Sequence, residues 1–245
     1  MKKERIDDLL IERGFADSFV KAQALVMAGV VLADEKRVEK SSETFPPEAY
    51  IRIKGDPAEK KFVGRGGLKL EKALREFQIC VSKYVCLDVG ASTGGFTDCL
   101  LQNGAKKVFT VDVGTNQIDW KLRCDERVEV RENVNARRLK PGDFPEKFDL
   151  IVMDVSFISA TKILPALVPL LKPMGKIIVL IKPQFEVVKT EVERGGVIRD
   201  EKKHARVVAE VNSFAENCGL KVSGVTDSPI LGADGNKEFL ALYQL

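Results

Sequence analysis

Residues Val85 to Asp98 read Val-Cys-Leu-Asp-Val-Gly-Ala-Ser-Thr-Gly-Gly-Phe-Thr-Asp, and this stretch decides the fold. Val85, Leu87 and Val89 form a short apolar run, with Asp88 near its carboxyl end. Gly90, Gly94 and Gly95 follow, and Phe96, Cys99 and Leu100 then begin a helical period that Gly104 closes. The order is strand, glycine turn, helix. In open α/β sheets, that turn is where nucleotide-like ligands sit.

The glycines do not follow the G-x-G-x-x-G spacing of a pyrophosphate cradle. An acid at the strand end beside a spread glycine run suits a smaller, cationic ligand, and S-adenosylmethionine fits that description. An ordinary βα turn that uses glycine only for geometry would look the same. The second strand tips the balance. Lys107 to Val113 ends in Asp112, 22 residues after Gly90. An acid there accepts hydrogen bonds from ribose hydroxyls. A nicotinamide enzyme would carry it too, so the acid argues for an adenosine ligand without naming it.

Downstream, strand and helix patterns alternate. Val128 to Val130 reads as a third strand, and Glu132 to Asn135 after it places Asn133 toward an adenine edge. Phe148 to Val155 is the clearest buried strand and ends in Asp154. Leu164 to Leu171 reads as helical, Lys172 to Gly175 as a turn, and Lys176 to Ile181 as a buried strand followed by Lys182. Residues 200 to 218 form a helix closed by Gly219, and Leu220 to Thr226 and Phe239 to Gln244 are the last strands. Such alternation means a parallel sheet with helices on both faces. Asp88, Asp112, Asp154 and Lys182 then share the rim beyond the strands' carboxyl ends. A lysine beside another cation there can serve as a base. A plain Asp154–Lys182 ion pair would have the same spacing.

Residues 1 to about 58 read as a separate small unit. Ile6, Leu9 and Leu10 make one helical stripe, stopped by Gly14. Ser18 caps a second helix carrying Ala22, Leu25 and Val26, stopped by Gly29. Short strands follow at Val30–Ala33, Arg37–Val38 and Tyr50–Ile53. Residues 59 to 67 read as a linker with few buried positions. From Lys61 to Arg75 the chain carries one acid, Glu71, among several basic residues, which makes an RNA track. Leu122 to Lys140 is also rich in arginine.

Composition bounds the rest. Of 245 residues, 44% are hydrophobic and 31% charged, the balance of a globular protein. No apolar run is long enough to span a bilayer, and the start lacks a signal-peptide core, so a cytoplasmic protein is expected. The five cysteines show no C-x-x-C pair, and with a single histidine no metal site is expected. His204, in a charged helix start, is expected to face solvent. The net charge of +3 permits a nucleic-acid partner without demanding one.

Two short helices and a small strand set, carried by Arg5–Leu10, Lys21–Leu32 and Arg37-Val38, resemble the α-L RNA-binding fold. Phe19 stands where that fold usually has a basic residue, and Asp34-Glu35-Lys36 replaces its Asn-Gly-type turn. Residues 1–61 carry 12 basic and 12 acidic side chains, so any RNA-binding face must come from their distribution. FVGRGGLKLEKAL, CLDVGASTGGFTDCLLQNGA, MDVSFIS, IKPQFE, GGVIRD and SPILGADGNKEFL together resemble the TlyA (haemolysin A-type) family, over nearly the whole chain.

That resemblance implies a Rossmann-like, S-adenosylmethionine-dependent, FtsJ-like methyltransferase sheet of seven mostly parallel strands with helices on both faces. It implies residues 1–58 as a small α+β α-L RNA-binding domain, 59–67 as linker and 68–245 as the catalytic domain. The implied activity is 2′-O-methylation of cytidine in ribosomal RNA or ribosomal subunits, with the oligomeric state left open. The family tetrad falls on Lys69, Asp154, Lys182 and Glu238. Lys182 is the implied base, Lys69 its neighbouring cation, and Asp154 and Glu238 the carboxylates that hold them. Spacing alone points to Asp154 and Lys182, but neither to Glu238 nor to Lys69 in preference to Lys72. The cofactor falls to Asp88 near its amino group, Gly90, Ser92, Gly94, Gly95 and Phe96 along the methionine part, Asp112 on the ribose, Asn133 at the adenine, and Asp154. Arg5, Lys21, Arg65 and Lys72 are the implied RNA contacts. An idle methyltransferase fold that only binds RNA, and a membrane-lytic protein, are the alternatives.

Overall fold

In the computed structural model, residues 3–55, 61–192, 195–232 and 235–245 are described. The chain divides into two compact units. One holds Met1–Lys61 with Leu231–Gly235, and the other holds Phe62–Ile230 with Asn236–Leu245. The boundary read at residues 58 and 59 lies outside the described residues.

The smaller unit has strands β1 (Glu4–Arg5), β2 (Val31–Ala33), β3 (Lys36–Arg37), β4 (Thr44–Phe45) and β5 (Ile51–Ile53), with helices α1 (Ile6–Glu12) and α2 (Phe19–Met27). β1 pairs with β4, and β3, β2 and β5 form a second sheet. Ser18 Oγ accepts the Lys21 N–H at 3.4 Å and so caps α2. Gly14 and Gly29 end the two helices with φ of 74° and 67°. Ile6, Leu9, Leu10, Ala22, Val26 and Val31 meet in its core.

In the larger unit, α3 (Gly66–Glu76) precedes a seven-stranded sheet. The strands are β6 (Val85–Val89), β7 (Lys107–Val111), β8 (Val128–Arg131), β9 (Phe148–Met153), β10 (Leu171–Ile181), β11 (Lys221–Asp227) and β12 (Phe239–Gln244). Their order across the sheet is β11-β12-β10-β9-β6-β7-β8. β12 runs antiparallel to both neighbours, whereas β6 to β10 are parallel. The helices are α4 (Gly95–Gln102), α5 (Trp120–Arg123), α6 (Leu164–Leu167), α7 (Pro183–Glu186) and α8 (Glu201–Asn217). Strands β6, β7, β9 and β12 are near-continuously buried because both sheet faces are covered there, whereas the edge strands β8 and β11 are not. Leu87, Ile151 and Val179 enter one core, while Cys86, Val152 and Ile178 enter the other.

Several expectations change on folding. Phe62 is buried, and the Val63 N–H donates to Asp98 Oδ2 at 2.9 Å, so from Phe62 onward the expected linker packs with the larger unit. The helix expected over Leu164–Leu171 is broken into one α-turn and a 3-10 segment, Val168–Leu170. Pro165 and Pro169 supply no N–H to a longer helix. His204 is buried, not solvent-facing, because it shares the inward stripe of α8 with Val207, Val211 and Ala215. Its Nε2 lies 2.9 Å from the Ile198 carbonyl oxygen.

Candidate active site

The parallel strands diverge at β6: the chain moves outward to β7 and β8, then returns to β9 on the other side. A crevice opens beyond the carboxyl ends at such a switch point. Two adjoining cavities occupy it, of about 190 Å³ and about 360 Å³, sharing Gly90, Ser92, Asp154 and Ser156.

Gly90 has φ of 81°, and a Cβ there would lie 2.3 Å from the Asp154 carbonyl oxygen, so only glycine lets the β6 turn pass the end of β9. Gly95, at the start of α4, allows the backbone of Gly64 and Gly67 to approach; a Cβ would lie 2.9 Å from both Gly64 O and Gly67 N. The smaller cavity is lined by Gly66, Ser92, Thr93, Gly95, Phe96 and Lys182, among others. The larger is walled by Asp112, Val113, Val134, Asn135 and Ile158. Asp112 Oδ2 accepts the Ser92 N–H at 2.9 Å, and Oδ1 accepts the Gly114 N–H at 2.8 Å. The carboxylate therefore braces two loops and still faces the cavity.

Three residues expected to meet the cofactor do not line these cavities. Asp88 is fully buried on the α4 side of the sheet, where its Oδ2 accepts the Thr97 hydroxyl at 2.6 Å. Among the described residues its other oxygen has no hydrogen-bond partner, and burial pushes its carboxyl up to about 7. Gly94 precedes α4 with φ of 95°, and Leu122 and Ile118 pack beside it. Asn133 takes φ of 58° and is exposed; Val134 and Asn135 line the wall instead.

Further along the same rim, Lys182 Nζ meets Asp154 Oδ1 at 2.6 Å and donates to Ser156 Oγ at 2.8 Å. Lys69 of α3 meets Glu238 Oε2 at 2.5 Å. Glu238 reaches this rim because β12 is antiparallel: Phe239 pairs with Ile181, so the start of β12 adjoins the end of β10. Burial pushes the Glu238 carboxyl up, against the pull of Lys69 and, more weakly, Lys182. The four groups of the expected tetrad thus occupy one neighbourhood as two ion pairs.

The expected RNA contacts are more dispersed. Arg5 makes a forked pair with the buried Asp7, at 2.9 and 2.6 Å. Lys21 lies exposed on α2, 3.3 Å from Asp17. Arg65 immediately precedes α3, and Lys72 Nζ donates to the Asp227 carbonyl oxygen at 2.8 Å. In the arginine-rich segment, Arg123, Arg127 and Arg131 pair with Glu132, Asp125 and Glu129. Those pairs offset much of its positive charge.

Ser156 and Thr93 were not anticipated from sequence. A hydroxyl two residues beyond a strand-end acid was the available signal for Ser156.

Comparison with known proteins places this arrangement. Residues 62–244 match the FtsJ-like methyltransferase family. Hemolysin A of Brachyspira hyodysenteriae is 42% identical over 98% of this chain and 99% of its own length. The 16S/23S rRNA (cytidine-2′-O)-methyltransferase TlyA of Mycobacterium tuberculosis is 42% identical over 97% of this chain and 88% of its own. The solved structure of a hemolysin-type protein from Streptococcus thermophilus covers 100% of this chain and 89% of its own, at 43% identity and a TM-score of 0.77. An S-adenosylmethionine-dependent methyltransferase from Mesorhizobium loti shares the fold at 14% identity and a TM-score of 0.52, over 71% of this chain and 96% of its own. The chain belongs to the FtsJ-like methyltransferase family, in the group that contains TlyA and hemolysin A.

Proposed function

We propose that this protein transfers the methyl group of S-adenosylmethionine to the 2′-hydroxyl of a cytidine in ribosomal RNA. The observation that carries this reading is the Lys182–Asp154 pair in the lining of a glycine-turn cavity, with the buried Lys69–Glu238 pair near enough for Glu238 to interact with both Lys182 and Asp154. The cavity's lining fits S-adenosylmethionine. Asp112 offers a carboxylate to a ribose diol, and Val113, Val134 and Ile158 offer apolar walls to an adenine. Gly90, Ser92, Gly95 and Phe96 line a narrower end suited to the amino-acid part.

When bound, S-adenosylmethionine supplies an already activated methyl group. The chain's own task is to position the acceptor and remove one proton. Once its own ammonium proton has passed to solvent through the cavity, Lys182 Nζ receives the proton of the 2′-hydroxyl. Asp154 holds that nitrogen at the cavity edge. Glu238 anchors Lys69, the second cation of the tetrad, behind them. The relatives named as rRNA (cytidine-2′-O)-methyltransferases support the substrate class. The α-L-like unit and the basic stretch around Arg65 and Lys72 would hold the RNA. Among the described residues, no helix is long and apolar enough to cross a membrane.

The test is mass-spectrometric mapping of methylated nucleosides in rRNA and ribosomal subunits treated with protein and S-adenosylmethionine. A 2′-O-methylcytidine appearing only with the active protein is expected. A base-methylated product, or none, would overturn the reading.

A further inference from the structure

Lys182 makes a contact that its ion pair does not explain. Its Nζ donates to Ser156 Oγ at 2.8 Å as well as meeting Asp154 at 2.6 Å. Ser156 lines both cavities together with Asp154. It follows Asp154 by two residues and precedes Phe157, which holds φ of 64°.

The loop carrying Ser156 is pinned further along. Glu186, the last residue of α7, accepts the Ser159 hydroxyl at 2.5 Å and the Ala160 N–H at 2.7 Å. The Phe157 and Phe185 rings lie 5.1 Å apart. Lys182 itself is the residue that precedes α7. One short helix therefore ties the loop after β9 at two points, through Lys182 to Ser156 and through Glu186 to Ser159.

An amine nitrogen has three positions besides its bond to Cε. Asp154 and Ser156 take two of them. Once Lys182 has released one proton to solvent through the cavity it lines, its two remaining N–H bonds stay on these acceptors, and the lone pair is left with one direction. With Asp154 as the only acceptor, the amine would turn about the Cε–Nζ bond and the lone pair would spend time misdirected. Misalignment of a reacting group costs rate even when affinity is unchanged.

We propose that Ser156 is a positioning residue whose hydroxyl oxygen fixes the rotation of the Lys182 amine, so that its third position faces the cavity. This rests on Lys182 being the base in the proposed function.

The experiment compares full-length wild type, Ser156→Ala, Ser156→Thr and Lys182→Met in single-turnover methyl transfer to rRNA. Thermal melting and S-adenosylmethionine calorimetry are measured alongside. Ser156 is exposed, so its replacement should leave the fold intact. In Ser156→Ala, melting temperature, cofactor affinity and the KM for RNA should hold, while the single-turnover rate falls about tenfold. Threonine, which keeps the oxygen, should restore most of the rate. An alanine variant within twofold of wild type overturns the proposal, as does a loss confined to cofactor affinity, a loss that follows melting, or a threonine variant no better than alanine. If Lys182→Met is inactive while Ser156→Ala is normal, only the positioning role falls. If Lys182→Met matches wild type, or wild type transfers no methyl to RNA, the reading beneath it falls too.

Discussion

Replacing Lys182 with methionine separates catalysis from structure, because methionine keeps most of the stem volume and removes the amine. The structural cost follows from exposure. The Lys182 side chain is 11% exposed and that of Asp154 is 22%. Breaking a fully buried pair costs about 3–5 kcal/mol, and an exposed one about 0–1 kcal/mol. Asp154 opens onto a cavity, so about 1–2 kcal/mol is expected here. For a chain of this size that lowers the melting temperature by about 2–8 °C. The catalytic cost is larger: loss of a general base lowers the rate about 10²-fold or more, equivalent to at least ~2.7 kcal/mol of barrier. Lys69→Met provides the contrast. It strands Glu238, which is 2% exposed, and should cost about 3–5 kcal/mol of stability. The assay pairs thermal melting with single-turnover methyl transfer to rRNA, at saturating S-adenosylmethionine. A folded Lys182→Met protein that turns over near the wild-type rate would refute the mechanism. A melting loss as large as that of Lys69→Met would make the pair chiefly structural.

Asp112→Ala should weaken S-adenosylmethionine about 10-fold or more by calorimetry, since it removes charged hydrogen bonds at the cavity wall and the brace on the Ser92 and Gly114 loops; unchanged affinity would take Asp112 out of the site. Asp88 has a folded-state value pushed from 3.8 up to about 7 by burial, so its contribution to stability is full below pH 4 and is lost as pH rises toward 7, by roughly 4 kcal/mol. Asp88→Asn should flatten the wild-type loss of stability across that window in denaturant titrations, and an unaltered slope would count against the assignment. A chain beginning at Lys61 keeps the buried Phe62, and should bind S-adenosylmethionine normally yet methylate rRNA poorly. Full activity toward rRNA would remove the N-terminal unit from substrate recognition.

Local patterns in the chain determined a good deal. A glycine after an apolar run and before a helical period has few structural solutions, and the turn at Gly90 is one of them. Acids and lysines placed at strand ends fall on one rim whenever the strands are parallel, so Asp112, Asp154 and Lys182 were legible without coordinates. The helix stops at Gly14, Gly29 and Gly104 are likewise local, because each needs only a left-handed φ. His204 was legible in principle, for it shares the 204, 207, 211, 215 period, but the surrounding charges masked that stripe.

Tertiary structure decided the rest. Glu238 precedes a strand, and only the antiparallel run of β12 beside β10 brings a strand's beginning to a rim built from strand ends. Lys69 and Lys72 flank the same apolar stripe of α3, and periodicity treats them alike. Packing turns Lys69 to Glu238 and Lys72 to the carbonyl of Asp227. Asp88 looked like a ligand contact because it stands at a strand end. Alternation along β6 and the approach of α4 instead close it beneath the turn, against Thr97. Sequence spacing sets which residues reach an edge; the direction of a strand and the helix laid across it set which of them open onto the cavity.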